Sequence, residues 1–368
     1  MRCFFCSCGF ILWRGNHSMG ISETLLGKKN TDGTPIIDAI EPAAALPGGE
    51  VRIIGRSLKP PQMGRPDIQF SGISGSLVFS ADDFAIARVP QGAQSGDVTV
   101  HNNGTVSNAR DMKIAQPLAE NLHPVANPAI DPQGNIYVTF SGGRGQKVPV
   151  SIYKIDTGYS VKPFVSDLMN ATGMAFDRDG QLYVSSRYDG TVYKIAPNGS
   201  MTTYAEGMGV ATGIAFDREG SLYVGDRSGT IWRIAPDRQI FVYATLEPSV
   251  AAYHLAFAPD GLLYVSGPTT SSYDAVHVVD SHGTVEVFYR GLGRPQGIAF
   301  DAQGNLYVAA SLAGKRGIVR ITPDKTASLA VAGHKLVGLA FTRTGGAVLA
   351  TTDSVFHLTW NVQPLALI

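Results

Sequence analysis

The chain has 368 residues, 30 basic and 30 acidic side chains for a formal net charge of zero, many glycines (42) and few charged residues (16%). That length allows two domains and a sizeable core, and the charge balance leaves no electrostatic footprint for nucleic acid or an anionic membrane surface. All three cysteines (Cys3, Cys6, Cys8) precede everything that reads as folded, so the body of the chain has neither a disulfide framework nor a cysteine–zinc site.

Residues 1–34 read as a disordered leader and linker. The apolar run from Cys3 to Trp13 is too short to span a bilayer. It has the length of a signal-peptide core, but Arg14 stands where a small-residue cleavage site belongs, and translation from Met19 would remove the run altogether. The cytoplasm is the favoured compartment, and a bacterial cell envelope follows if the leader is a true export signal.

From Pro35 the pattern turns to short alternating strands. They fall near Ile36–Ile40, Glu50–Ile54, Asp67–Phe70, Phe84–Val89 and Gly96–Val100, separated by Pro and Gly turns such as 47–49 and 102–104. Regular short strands with turn signals predict an all-β sandwich. Three stretches carry a likeness: the opening at 35–42, the Gly-Gly-x-Val-x-Ile-x-Gly strand at 48–55, and Val89-Pro90 followed by the strand at 95–100. On these, residues 35–115 resemble the immunoglobulin-like IPT/TIG modules. Such modules usually pack beside other domains and seldom carry chemistry of their own.

Residues 116–368 repeat. A turn glycine recurs at Gly134, Gly180, Gly220, Gly261, Gly304 and Gly345, with gaps of 46, 40, 41, 43 and 41 residues. Around each turn lie an apolar strand ending in Ala-Phe-Asp or its equivalent, a Leu-Tyr-Val strand, and two more short strands. Four strands per unit of this length make a propeller blade, and six units predict a six-bladed propeller. Gln116–Glu120 echoes the outer strand at 203–206, yet the last unit reads as complete. The expectation is that it closes on its own C-terminal strand, with 112–120 as connector. The Gly-Ile-Ala-Phe-Asp-x-x-Gly-x-Leu-Tyr-Val motif resembles NHL-repeat propellers and their gluconolactonase (SMP-30, senescence-marker) relatives.

Those relatives imply an axial divalent metal held by Glu, Asn and Asp at the starts of innermost strands. The corresponding positions here are Ala126, Thr172, Thr212, Tyr253, Gln296 and Val337. None is a carboxylate, and a hard cation needs charged oxygen ligands to offset its dehydration. Neither a cofactor nor a metal site is therefore expected, and a divalent metal enters only under a lactonase reading.

The remaining polar residues on that face are candidate ligand-binding residues: Thr172, Arg187, Thr212, Asp226, Arg227, Tyr253, His254 and Gln296, with Ser141, Arg144, Ser186 and Thr352 nearby. They would suit a small polar ligand or a partner protein, with the arginines as forks for an anionic group. The plainer reading is that Asp226 and the hydroxyls bond locally. No catalytic residue is assigned, because no nucleophile motif, zinc-helix motif or phosphate loop is present; base chemistry at His254 would rest on that residue alone. The expected function is a non-catalytic binding or scaffold protein, with a gluconolactonase-like metal-dependent hydrolase as the alternative.

One correlation concerns structure. Asp131, Asp177, Asp217 and Asp301 end first strands in the same units whose third strands carry Lys154, Lys194, Arg233 and Arg320. Either these form repeated ion pairs across the blade, or each Asp caps its own turn. The recurring tyrosines, including Tyr137, Tyr183 and Tyr223, read as packing between blades.

Overall fold

The computed structural model describes residues 33–60, 64–143, 145–270 and 274–365, none of them helical. The readings made for the leader, the cysteines and Arg144 fall outside these residues. Among the described residues no helix is long and apolar enough to cross a membrane.

The N-terminal unit is two sheets on one core. The first orders its strands Ile36–Glu41, Glu50–Arg56, Phe84–Arg88, Ser76–Ser80; the second runs Ala44–Ala45, Arg110–Ile114, Gly96–Asn102, Asp67–Phe70, Ile73–Ser74. The burial of Glu50–Arg56 alternates strictly, so one side of the strand enters the core and the other stays at the surface. Ile37, Val51, Ile53 and Ala85 from the first sheet meet Ile68, Phe70, Val98, Val100 and Met112 from the second.

The rest forms a β-propeller. Blade one consists of Ala129–Ile130, Ile136–Thr139, Ile152–Ile155 and Val161–Val165. Blade two is Ala171–Phe176, Leu182–Ser186, Thr191–Ile195 and Met201–Ala205; blade three is Ala211–Phe216, Leu222–Asp226, Thr230–Ile234 and Ile240–Thr245. Blade four is His254–Phe257, Leu263–Ser266, Ala275–Val279 and Val285–Arg290. Blade five is Ile298–Phe300, Leu306–Leu312, Lys315–Ile321 and Ala327–Ala332. Blade six has Leu336–Phe341, Ala347–Thr351 and Ser354–Leu358, and its outer strand is Gln116–Glu120.

That last strand corrects the expected closure. Gln116–Glu120 pairs antiparallel with Ser354–Leu358, Gln116 opposite His357 and Glu120 opposite Ser354. The chain entering the propeller thus completes the blade where the chain finishes its circuit. The pairing gives the strand Ser354–Leu358 a partner on its otherwise open edge, where main-chain groups would be left unbonded.

The two halves share main-chain bonds. Ala45 pairs parallel with Ala332 at the outer edge of blade five, and the Leu46 N–H donates to the Ala332 carbonyl at 2.8 Å. One continuous sheet therefore runs from blade five into the N-terminal unit.

Blades adhere through aromatic edges. Tyr137, Tyr183, Tyr223, Tyr264 and Tyr307 stand edge-on to Phe176, Phe216, Phe257, Phe300 and Phe341 of the following blade, with centroids 4.8–5.3 Å apart. In the closing interface Val348 occupies the tyrosine's place and packs with Ile136, Val138 and Ile155 of blade one.

The turn aspartates cap and do not pair. Asp177 Oδ1 accepts the N–H groups of Asp179 and Gln181; Asp217 repeats this with Glu219 and Ser221. Asp131 and Asp301 add a side-chain amide and a tyrosine hydroxyl on Oδ2. The cations go elsewhere: Lys154 and Lys194 lie over the Tyr137 and Tyr183 rings, Arg233 donates to Ser221, and Arg320 donates to Asn305. The ion-pair reading fails: none of the four carboxylates lies within ion-pair distance of its proposed cation, and each accepts the N–H groups of its own turn.

Candidate functional site

The innermost strands crowd the propeller axis. At Gly173 a Cβ would strike the Thr212 carbonyl oxygen, and at Gly213 the Tyr253 carbonyl oxygen, so both positions need a residue without a side chain. The equivalent residue of blade one is Asn127. It donates Nδ2–H to the Ile298 carbonyl of blade five at 2.8 Å, while its Oδ1 accepts the Leu339 N–H of blade six at 3.1 Å. In blade four the same position holds His254.

The two threonines among the candidates are consumed locally. Thr172 donates to the Asn170 carbonyl; Thr212 donates to the Gly225 carbonyl and accepts the Tyr253 N–H. Asp226 accepts the N–H groups of Val210 and Ser228 and the Ser228 hydroxyl, so it caps its own turn. The Tyr253 hydroxyl donates to the Glu247 carbonyl, and burial together with the Glu247 charge raises its pKa.

The arginines diverge. Arg187 donates to Ser141 Oγ and the Gly142 carbonyl, bracing the long loop of blade one, and Arg227 donates to the Ser249 carbonyl. They do not form a common fork. Asn170, missed by the sequence reading, holds that same loop from beneath through the Gly145 N–H and the carbonyls of Gly142 and Gly143. Nothing in the repeat pattern marks it, because the loop belongs to blade one alone.

Two candidates are left with ring or amide groups not spent on neighbours. His254 is 4% exposed, and its imidazole has no hydrogen-bond partner among the described residues. Burial holds its pKa at about 4, so it is neutral at pH 7. Gln296 in the next blade is half-buried and fixed through its backbone, its carbonyl accepting Ser266 Oγ–H at 2.5 Å and its N–H donating to Ala309. Ser266 pairs directly with His254 across the strands, which ties the two positions together. Among the described residues no three His, Cys, Asp or Glu side chains converge as a metal-ligand group.

Comparison with known proteins agrees with the fold. A family profile described as strictosidine synthase-like, N-terminal, matches residues 213–234, three strands of blade three. No curated protein matches the chain. A gluconolactonase from Xanthomonas campestris is 16% identical with a TM-score of 0.56, covering 66% of this chain and 88% of its own. An auxiliary nutrient binding protein from Bacteroides thetaiotaomicron is 12% identical at 0.53, covering 88% and 97%. A catalytically inactive virginiamycin B lyase from Staphylococcus aureus, solved with quinupristin, is 14% identical at 0.50, covering 80% and 99%. At such identities the likeness is one of fold.

Proposed function

We propose that the chain is a non-catalytic binding protein that holds a small polar ligand at the channel mouth, around His254 and Gln296. The observation that supports this reading is His254: its neutral imidazole has no protein hydrogen-bond partner among the described residues, so it has a donor and an acceptor to offer a ligand. A neutral ligand with hydroxyl or carbonyl groups fits that pair better than an anion, since both arginines point elsewhere. The N-terminal unit, an IPT/TIG-type immunoglobulin-like module by its residues, fixes the propeller's orientation through the shared sheet or meets a partner protein.

A divalent cation does not fit this donor set. The Thr172 and Thr212 hydroxyls and the Asn127 amide already serve main-chain groups, and no carboxylate stands at the axial positions. The alternative, a gluconolactonase-like hydrolase of the NHL/SMP-30 type, draws support from the fold likeness to the Xanthomonas campestris enzyme. Fold alone seldom decides chemistry. The test is a binding screen with neutral monosaccharides and their lactones, read by calorimetry and, in the unaltered chain, by the His254 ring signals in NMR. The expected outcome is binding without turnover, with the calorimetric signal lost in His254→Leu; hydrolysis of a bound lactone would favour the alternative.

A further inference from the structure

Blade five differs from its neighbours at its outer rim. In blades one to four, the bulged residue of the outermost strand is an aromatic (Phe164, Tyr204, Tyr243, Phe288) lying on that blade's interface tyrosine. In blade five the bulge between Ile318 and Val319 places Ala330 there. Trp360, arriving from beyond the last strand, supplies the ring against Tyr307 at 5.3 Å instead. The substitution leaves an open cleft of about 460 Å³ between Tyr307, Arg320, Ser328, Ala330, Trp360 and the Pro42–Ala43 segment of the N-terminal unit.

One cation, Arg320, lines this space. Arg320 Nη2 donates to Asn305 Oδ1 at 3.1 Å, yet its Nε is buried without a hydrogen-bond partner. Its counterpart in blade three, Arg233, spends Nε and Nη2 on Ser221 Oγ. Asp301 also lines the cleft, but its carboxylate forms no ion pair with Arg320. It is 2% exposed, and its oxygens accept Gln303 N–H, two groups of Asn305 and the Tyr307 hydroxyl. Ser328, directly opposite Arg320 across the strands, adds a hydroxyl at the rim.

We propose that this cleft is a second binding site, separate from the channel mouth, which takes a small carboxylate bearing a planar apolar group. The carboxylate accepts from guanidinium N–H groups of Arg320, which lines the cleft, and the flat group lies against Trp360 in the space that an outer-strand aromatic fills elsewhere. A ligand there touches blade five, the C-terminal tail and the N-terminal unit together.

The probe is benzoate, titrated into the full chain with the Arg320 Nε–H and Trp360 indole N–H signals followed by NMR, and with benzamide and inorganic phosphate run in parallel. The expected result is that benzoate shifts both signals saturably while benzamide and phosphate shift neither, and that Arg320→Gln weakens benzoate binding at least about tenfold. Absence of a benzoate shift, equal binding by Arg320→Gln, or equal response to benzamide or phosphate would overturn the proposal. The benzamide comparison uses the unaltered chain, so it decides the question even if Arg320→Gln fails to fold.

Discussion

The side-chain amide of Asn127 donates to the main-chain carbonyl of Ile298, joining blade one to blade five, and the same side chain receives the Leu339 N–H from blade six. One residue therefore bonds three blades near the point where the ring closes. Asn127→Leu keeps the volume but strands both main-chain groups, and is expected to cost about 2–4 kcal/mol in urea unfolding. A cost near zero would show that water replaces the amide there.

Tyr183 stands edge-on to Phe216 at 5.0 Å and to Tyr204 at 4.8 Å; blades one, three and four repeat the arrangement, and blade five does so with Trp360 as the second ring. Tyr183→Ala is expected to destabilise by about 3–5 kcal/mol. Val348→Ala, in the aliphatic closing interface, is expected to cost less, about 1–2 kcal/mol by the loss of two buried methyl groups. Chemical denaturation of both variants checks the order.

Lys194 lies 5.5 Å over the Tyr183 ring, whereas Asp177 is bonded by its own turn. A double-mutant cycle of Lys194 with Tyr183 should give coupling of about 0.5–1 kcal/mol, and the cycle of Lys194 with Asp177 less than about 0.5 kcal/mol. Reversal of that order would restore the ion-pair reading.

His254 gives the acid limb of stability a defined sign. Its folded pKa of about 4 lies below the ordinary 6.5, so the unfolded chain takes up the proton first as pH falls. Its contribution is flat above neutrality and stability drops between about pH 6.5 and 4, by roughly 3 kcal/mol in full. His277 and His357, also lowered by burial, act in the same direction, so the readout is the difference from His254→Gln. That difference should change across this window and stay constant above pH 7.

The blades were readable because each unit writes the same apolar strand, capped turn and Leu-Tyr-Val strand into the sequence. Closure was not: Gln116–Glu120 resembles an outer strand, but strand periodicity says nothing about which distant edge it joins. The site was legible in part. Counting axial positions picked out Thr172, Thr212, Tyr253 and Gln296, yet a sequence does not show that all three hydroxyls among them already serve carbonyls. Asn127 escaped notice because it sits one residue beyond the aligned position, where its neighbours are glycines and the pattern records only small size.

The central claim is that the channel mouth binds a polar ligand without a metal. Calcium titration by calorimetry, followed by gluconolactone hydrolysis with and without chelator, tests it most directly. The account predicts no saturable calcium binding below millimolar concentration and no chelator-sensitive turnover. Tight calcium binding together with hydrolysis that chelator abolishes would contradict it.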